Sequence, residues 1–464
     1  MNASENTPLL TEASPPREVG VSTSLIAVDP YARFNERRKF MLVILVGWYS
    51  LIPVIVSGSF IPAIPQIAKD LDTGITPVSF AISVTLLSES FGSLIASSYS
   101  TFYGRRPVYL AAIPILCVGS LGVASSATIN QLLVWRSVQA LGMSPGFSVG
   151  AGVVGDLYSA EHRGLAMGLF LGIALLGPLL APVVGGYVAH YWSWRNMQFC
   201  LAGASGLTLL LFLLGFPETS TGACKARQAA ESKGYKSPNF VFINVLRPLG
   251  LLRSPNVLII TVAGFCTLTT NFALLVPINS TIGSRYGLNA FLVGLCMLPS
   301  GLGNIIGAPL AGRLSDKALA QGHGERLCPD DRLRAALLGA GILVPLSALS
   351  AGLIVHLVPG PLGLAMNLIC FFMNGIGVEL TLTPLVAYCV DILQGRSAEV
   401  ISANSGFRSL LISLTVGSVL PLLSRIGPVG MGMLSAVVAW LGFSLIFVTI
   451  HYGERWRLYV NINT

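Results

Sequence analysis

Four ionisable side chains interrupt long apolar runs: Glu89, Arg136, Glu379 and Arg408. An arginine in the middle of a membrane-spanning helix costs about 2.5–3.5 kcal/mol on insertion scales, so it is expected to face a partner or a water-filled path. Its planar fork of N–H donors suits a carboxylate held by two parallel hydrogen bonds. The alternative for Arg136 is that it snorkels outward, being only a few residues from the start of its run. A carboxyl group this deep is a candidate to take up and release a proton. For Glu89 and Glu379 the competing reading is a static pair that only orients helices, with Arg408 a possible partner for Glu379. Asn271, Asn304, Asn374 and Asn404 are further polar groups in apolar runs. Some are expected to line a path and the others to bond between helices; Asn271 and Asn374 are the path candidates. Asp156 and Asp391 fall at the ends of their runs and are expected to face the loops.

Enzyme chemistry has no foothold in this pattern. There is no Gly-rich phosphate loop ending in Gly-Lys-Ser/Thr, so direct use of ATP is not expected. The five histidines, at 162, 190, 323, 356 and 451, are scattered. The eight cysteines show no Cys-x-x-Cys spacing, which gives no support to a metal site or a disulfide framework. The chain is therefore expected to be neither an enzyme nor a cofactor protein. Its four buried charges need a scaffold that keeps them away from water and from lipid together.

That scaffold is written in the composition. Of 464 residues, 53% are hydrophobic and only 10% charged, against about 25% charged in soluble domains. A helix needs ~20 apolar residues to cross a bilayer. Such runs occur at about 40–66, 76–99, 107–127, 130–153, 164–188, 196–216, 256–280, 290–312, 334–356, 361–389, 398–424 and 428–450, here numbered spans 1 to 12. The fold class is an all-α membrane protein with twelve transmembrane helices in two six-helix bundles. The bundles cover 40–216 and 256–450, joined by a polar, basic linker at 217–255. A polar tail at 1–39, rich in Ser, Thr and Pro, is expected to be disordered. Residues 451–464 form a short C-tail. Proline is frequent within the spans: Pro53, Pro62 and Pro65 in span 1, Pro178 and Pro182 in span 5. Proline is tolerated in a membrane bundle where neighbours satisfy the freed carbonyl groups.

The net charge of +8 raises the question of nucleic acid. The distribution of bases answers it. With both termini in the cytoplasm, the tails and inner loops hold 22 Lys and Arg, the outer loops hold four, and two lie inside spans, which accounts for all 28. This is the positive-inside pattern of a membrane protein rather than a basic face for nucleic acid. The bilayer is the expected partner, and a monomer the expected state.

Three stretches carry more than hydropathy. Span 4 contains Arg136-Ser137-Val138-Gln139-Ala140-Leu141-Gly142. Span 5 carries Gly168, Gly177, Pro178, Ala181, Pro182, Gly185 and Gly186, a stripe of small residues with two prolines. The loop between spans 2 and 3 ends in Thr101-Phe102-Tyr103-Gly104-Arg105-Arg106-Pro107, with a second-half counterpart Gly312-Arg313-Leu314-Ser315-Asp316-Lys317. As a set, and with Trp194-Arg195, Phe216-Pro217-Glu218-Thr219 and Asp330-Asp331-Arg332-Leu333, these resemble the motifs of the major facilitator superfamily, over residues 40–452. Within it they resemble the fungal twelve-span drug:proton antiporters. The span-5 match departs at Ala181, where that motif usually has Gly. The loop-2/3 match departs at Thr101, where the family usually has an Asp that is thought to latch the halves. The resemblance implies that the first-half latch here is weaker, or rests on Arg105 and Arg106 alone, and leaves Asp316 as the latch candidate.

The expectation for function is a secondary active transporter, driven by protons, that exports a small organic molecule. The itaconate-type organic-acid exporters resemble the chain in more than the shared motifs, since they too lack the loop-2/3 acid and share the Gly312 to Leu333 loop. Arg136 and Arg408, one in each half, could then hold the two carboxylates of a dicarboxylate. Multidrug or secondary-metabolite efflux is the alternative. A sugar importer is disfavoured by Pro217-Glu218-Thr219-Ser220 in place of Pro-Glu-Ser-Pro-Arg, and a nutrient receptor by the short C-tail. The plasma membrane is the expected location. An acidic-dileucine pattern, Glu5 to Leu10, keeps a vacuolar or other organelle membrane as the alternative.

Overall fold

A computed structural model of the chain describes residues 33–158, 163–220, 247–321, 329–392 and 397–463. The expected disordered tail, the dileucine pattern and most of the linker lie outside the described residues. The described chain is helical throughout, as a bilayer demands: with no water to pair with backbone groups, a spanning segment must bond within itself.

Ten helices are long and apolar enough to cross a membrane, and two local features reconcile ten with twelve spans. Span 4 is divided into Ile129–Met143 and Pro145–Leu157, each too short to count alone. Spans 11 and 12 run together as Ser397–Asn463, interrupted at Gly427, whose φ of 71° lies in the left-handed region. Its apolar part extends 58 residues, Glu399–Trp456, roughly 87 Å at 1.5 Å per residue and far more than one crossing of a ~30 Å core. Gly427 is therefore a turn, and glycine supplies its backbone at little steric cost. Twelve crossings result.

Prolines within these helices free carbonyl groups, and nearby side chains take up two of them. Span 1 covers Glu36–Gly58 and Phe60–Asp70. Its hydrogen-bond ladder is interrupted where Pro62 has no N–H for the carbonyl of Gly58, while Ser59 keeps helical φ and ψ of -71° and -19°. Pro65 has no N–H to offer the carbonyl of Ile61, and that oxygen instead accepts from Asn279 Nδ2 of span 7 at 2.7 Å. Asn279 is thus engaged in packing between the halves. In span 4, Pro145 frees the carbonyl of Leu141, which accepts from Ser144 Oγ at 2.8 Å.

The basic loops define one end of the bundle; the opposite end is called outer below. The largest apolar cluster lies at the outer end and mixes both halves, with Phe60, Ile61 and Ile64 of span 1 beside Val276 and Ile278 of span 7 and Ile412 and Val416 of span 11. A second cluster, from Leu42 to Phe216, is confined to the first half, and a third, from Ile260 to Ile446, to the second. Among the described residues the halves share a core at the outer end only. An indole clamp closes the first half there: Trp194 Nε1 donates to Asp70 Oδ2 at 2.9 Å, and Arg195 pairs with the same oxygen at 3.3 Å.

Candidate functional site

Arg136 is 1% exposed and does not snorkel. Its helix begins at Thr128, whose side chain accepts from Gln131 N, and this register turns residues 136 and 139 to one inward face. Arg136 Nη1 donates to Gln139 Oε1 at 2.9 Å. Gln139 Nε2 in turn donates to Ser120 Oγ of span 3 and to Gln198 Oε1 of span 6, each at 2.9 Å. The ring of Phe60, from span 1, lies 4.3 Å from the guanidinium carbon, a cation–π contact. Nε of Arg136 is buried without a partner. Side chains of four spans thus join one group around the cation, and sequence reasoning identified neither Phe60, which meets Arg136, nor Gln198, which meets Gln139.

Arg408 is treated differently. It is half-buried on span 11 and leans on Gly264 of span 7, where an added Cβ would stand 3.3 Å from its Cδ. No hydrogen bond from Arg408 to another described residue exists, and its Nε is sealed and unpartnered. Glu379, on span 10, lies within the electrostatic reach of Arg408 but forms no ion pair with it. The carboxylate instead accepts from Thr383 Oγ1, one turn on, at 3.3 Å. Asn271 is two turns from Gly264 along span 7, and its carbonyl oxygen is buried and unpartnered. Asn374 belongs to the interhelical group: it is buried, and Nδ2 donates to Ser347 Oγ of span 9 at 3.0 Å. Asn404 donates to Cys389 Sγ at 3.5 Å, and Asn304 Oδ1 is sealed without a partner.

Glu89 is half-buried on span 2 and makes no hydrogen bond or ion pair to a described residue. Its neighbour Ser90 donates across the halves to the carbonyl of Gly406 at 2.6 Å. Glu89 and Arg408 therefore both lie within a turn of the point where spans 2 and 11 touch.

At the basic end the structure corrects two expectations: Asp156 and Asp391 turn from the loops to arginines that open other spans. Asp316 pairs within its own half. Each half builds its own cluster around one arginine. Arg105, opening span 3, pairs with Asp156 of span 4 at 2.9 Å and donates to Ser100 Oγ at 2.8 Å. Arg332, opening span 9, pairs with Asp391 of span 10 at 2.5 Å and Asp316 of span 8 at 2.6 Å, and donates to Ser315 Oγ at 3.4 Å. The two clusters correspond element by element, with Thr101 standing where Asp316 stands. Asp156 is the counterpart of Asp391, so among the described residues Arg105 has one acidic side-chain partner where Arg332 has two. Asp316 is 74% exposed, which limits what its pair contributes. Glu218 adds a further tie: its oxygens accept from the N–H groups of Arg105 at 2.8 Å and Arg106 at 3.1 Å, placing a carboxylate at the positive end of the span-3 helix. Gly104, with φ of 100°, makes room for it.

Span 5 runs unbroken from Arg163 to Tyr191 despite Pro178 and Pro182. Its small residues serve two neighbours. Gly177, Ala181 and Gly185, spaced by four, meet span 1: an added Cβ at Gly177 would fall 2.5 Å from Val54, and at Gly185 2.4 Å from Ser59. Ala181 is accommodated by Gly58 opposite, where an added Cβ would come 2.8 Å from the alanine methyl. Pro178, Pro182 and Gly186, the adjacent row, meet span 8 of the other half. An added Cβ at Gly186 would come 2.5 Å from the carbonyl of Ala290, and one at Gly294 2.3 Å from that of Pro182. One helix thus reports to the span-1 interruption and to the opposite half at once.

Comparison with known proteins agrees with this architecture. The chain is 26% identical to "Citrate exporter 1" of Aspergillus niger, over 92% of this chain and 88% of that protein. It is 24% identical to "Multidrug transporter AQR1" of Candida glabrata, over 92% of this chain and 78% of that one. The solved structure of the human organic anion transporter MFSD10 (TETRAN) superposes with a TM-score of 0.60 at 16% identity, covering 89% of this chain and all of that chain, a likeness of fold. Residues 40–416 match the Major Facilitator Superfamily. Twelve crossings in two bundles, buried charges inside them and a match over most of the length make this chain a member of the major facilitator superfamily, a membrane transporter and not an enzyme.

Proposed function

We propose that the chain is a proton-coupled exporter of a small organic acid, with an itaconate-like dicarboxylate as the substrate class. The observation that carries this reading is Arg408, a guanidinium group within the membrane that no described carboxylate or hydrogen-bond acceptor occupies. An anionic substrate would supply the missing partner. Asn271, with its oxygen unpaired on the neighbouring helix, is placed to take a hydroxyl or protonated carboxyl group. The similarity to a citrate exporter supports the same substrate chemistry. In this reading Arg136 takes a second carboxylate only after Phe60 and Gln139 give way, so Arg408 makes the first contact. The two six-helix bundles at 40–216 and 256–450 rock about the span 2–span 11 contact, the linker and both termini lie in the cytoplasm, and the protein works as a monomer in the plasma membrane.

Glu89 and Glu379 are the proton carriers of this proposal. Each is a carboxyl group in the bundle without a salt-bridge partner among the described residues, and Glu379 shares the field of Arg408, so its protonation changes how strongly that arginine holds an anion. Glu89→Gln or Glu379→Gln is expected to lose accumulation against a gradient while keeping downhill flux. The measurement is transport in proteoliposomes with and without an imposed pH gradient. Full pH-driven transport by both variants would move the proton to another group.

The second reading is efflux of lipophilic cations, which the unpaired Glu89 would attract and which the similarity to a multidrug transporter supports. Substrate charge separates the two. Cells expressing the chain should secrete more dicarboxylate than cells lacking it and gain no resistance to lipophilic cations. Resistance without added acid secretion would establish the second reading instead.

A further inference from the structure

We infer that Phe60 is an aromatic lid on Arg136, carried on the interruption of span 1, and that separation of the halves at the outer end lifts it. The contact itself is specific. Phe60 is 2% exposed, its ring lies 4.3 Å from the guanidinium carbon, and Arg136 is sealed to 1% beneath it. A buried guanidinium with an unpartnered Nε would not be left against an apolar ring for packing alone when a polar partner could be reached, because an unsatisfied buried donor is costly. The ring face offers an electrostatic substitute that can be withdrawn without breaking a hydrogen bond.

The lid sits where movement is collected. The hydrogen-bond ladder of span 1 is interrupted between Gly58 and Phe60, where Ser59 still keeps helical φ and ψ, and Ser59 and Gly58 are in close approach to Gly185 and Ala181 of span 5. The next carbonyl, of Ile61, is held by Asn279 of the second half. The opposite row of span 5 packs on span 8. The short segment bearing Phe60 is therefore gripped by the two elements that must move relative to each other when the outer end opens. Phe60 is also part of the apolar cluster shared by the halves there, so parting the halves strips second-half neighbours from its ring while Asn279 pulls on the next carbonyl. Arg136 is then a conditional cation, covered while the outer end is closed and uncovered when it opens. This conclusion concerns the coupling of shape to charge and does not depend on which substrate is carried.

Accessibility of Arg136 tests it. The purified full-length protein in nanodiscs is treated with phenylglyoxal, and modification of the peptide containing Arg136 is followed by mass spectrometry, with exposed arginines as the internal standard. Gly294→Trp forces spans 5 and 8 apart, since even a Cβ at 294 would come 2.3 Å from the carbonyl of Pro182. It is expected to speed modification of Arg136 by at least about tenfold, as when a state populated to at most ~10% becomes the dominant one. Phe60→Ala should raise it too, whereas Phe60→Tyr, which keeps a ring, should stay near wild type. If Arg136 remains as protected in Gly294→Trp as in the wild type, or if Phe60→Tyr exposes it as fully as Phe60→Ala, the lid is overturned. Size-exclusion profiles show which variants are folded, and either the glycine or the phenylalanine arm suffices for the decision.

Discussion

Arg408→Ala should reduce export of the organic acid by roughly 10- to 100-fold while leaving the protein as stable as the wild type. The transport loss follows from removing a charge-assisted hydrogen bond to the substrate, worth about 1.5–3 kcal/mol, at 1.4 kcal/mol per factor of ten. The unchanged stability follows from what Arg408 lacks. It makes no hydrogen bond to a described residue, so truncation leaves no donor or acceptor orphaned, and it removes a cation whose desolvation nothing direct offsets. Arg408→Lys keeps the charge but not the fork, and should fall between the two. The check is uptake of labelled dicarboxylate by inside-out vesicles, normalised to folded protein. Wild-type flux in Arg408→Ala would remove this residue from the substrate path and with it the main support for an anionic substrate.

Arg136→Ala should abolish transport and, unlike Arg408→Ala, lower the thermal midpoint. Arg136 ends a chain that runs through Gln139 to Ser120 and Gln198. Its loss leaves Gln139 Oε1 buried without a donor, at about 1–3 kcal/mol for an unsatisfied buried group. The protein should still reach the membrane, because the hydrophobic lengths of its spans are untouched. Arg136→Lys should fail largely as well, since a point charge cannot both bond to Gln139 and lie flat against the ring of Phe60. Transport assays paired with thermal unfolding in detergent distinguish the two arginines. Near-normal transport in Arg136→Ala would reduce the network to packing, and equal stability losses in the two variants would remove the distinction drawn here between a committed and an uncommitted cation.

Hydropathy alone located the crossings, and the reason is the solvent. A bilayer imposes a minimum apolar length and forbids unsatisfied backbone, so spans 1 to 10 emerge from the sequence with ends close to those of the helices. The same argument singled out Glu89, Arg136, Glu379 and Arg408, because a charge in such a run has an energetic cost wherever it points. What a one-dimensional pattern does not carry is direction around the helix axis combined with the identity of the neighbour. Asp156 and Asp391 read as loop-facing acids because they end their spans; the fold turns each toward an arginine opening another span. Asp316 reads as a latch candidate because of its motif position, and its partner Arg332 could not be read from that position. Asn374 and Asn271 are equally polar by sequence, and both carry a buried, unpartnered oxygen, yet only Asn374 is tied to another span, through its amide nitrogen and Ser347.

Proline spacing gave the places where helices could break, but the tertiary contacts decided how each break is satisfied. The carbonyl freed by Pro65 is taken by Asn279 from more than two hundred residues away, and no local signal links them. The same holds for Phe60. In sequence it is one of 21 phenylalanines, and only the approach of span 1 to span 4 places its ring on Arg136. The sequence by itself determined that this protein spans a membrane twelve times, in two halves, with two cations and two acids within its spans. The tertiary structure decided that one cation is covered and bonded while the other is open, because a buried charge must be paired by whatever the neighbouring helices bring to it, and only folding chooses the neighbours.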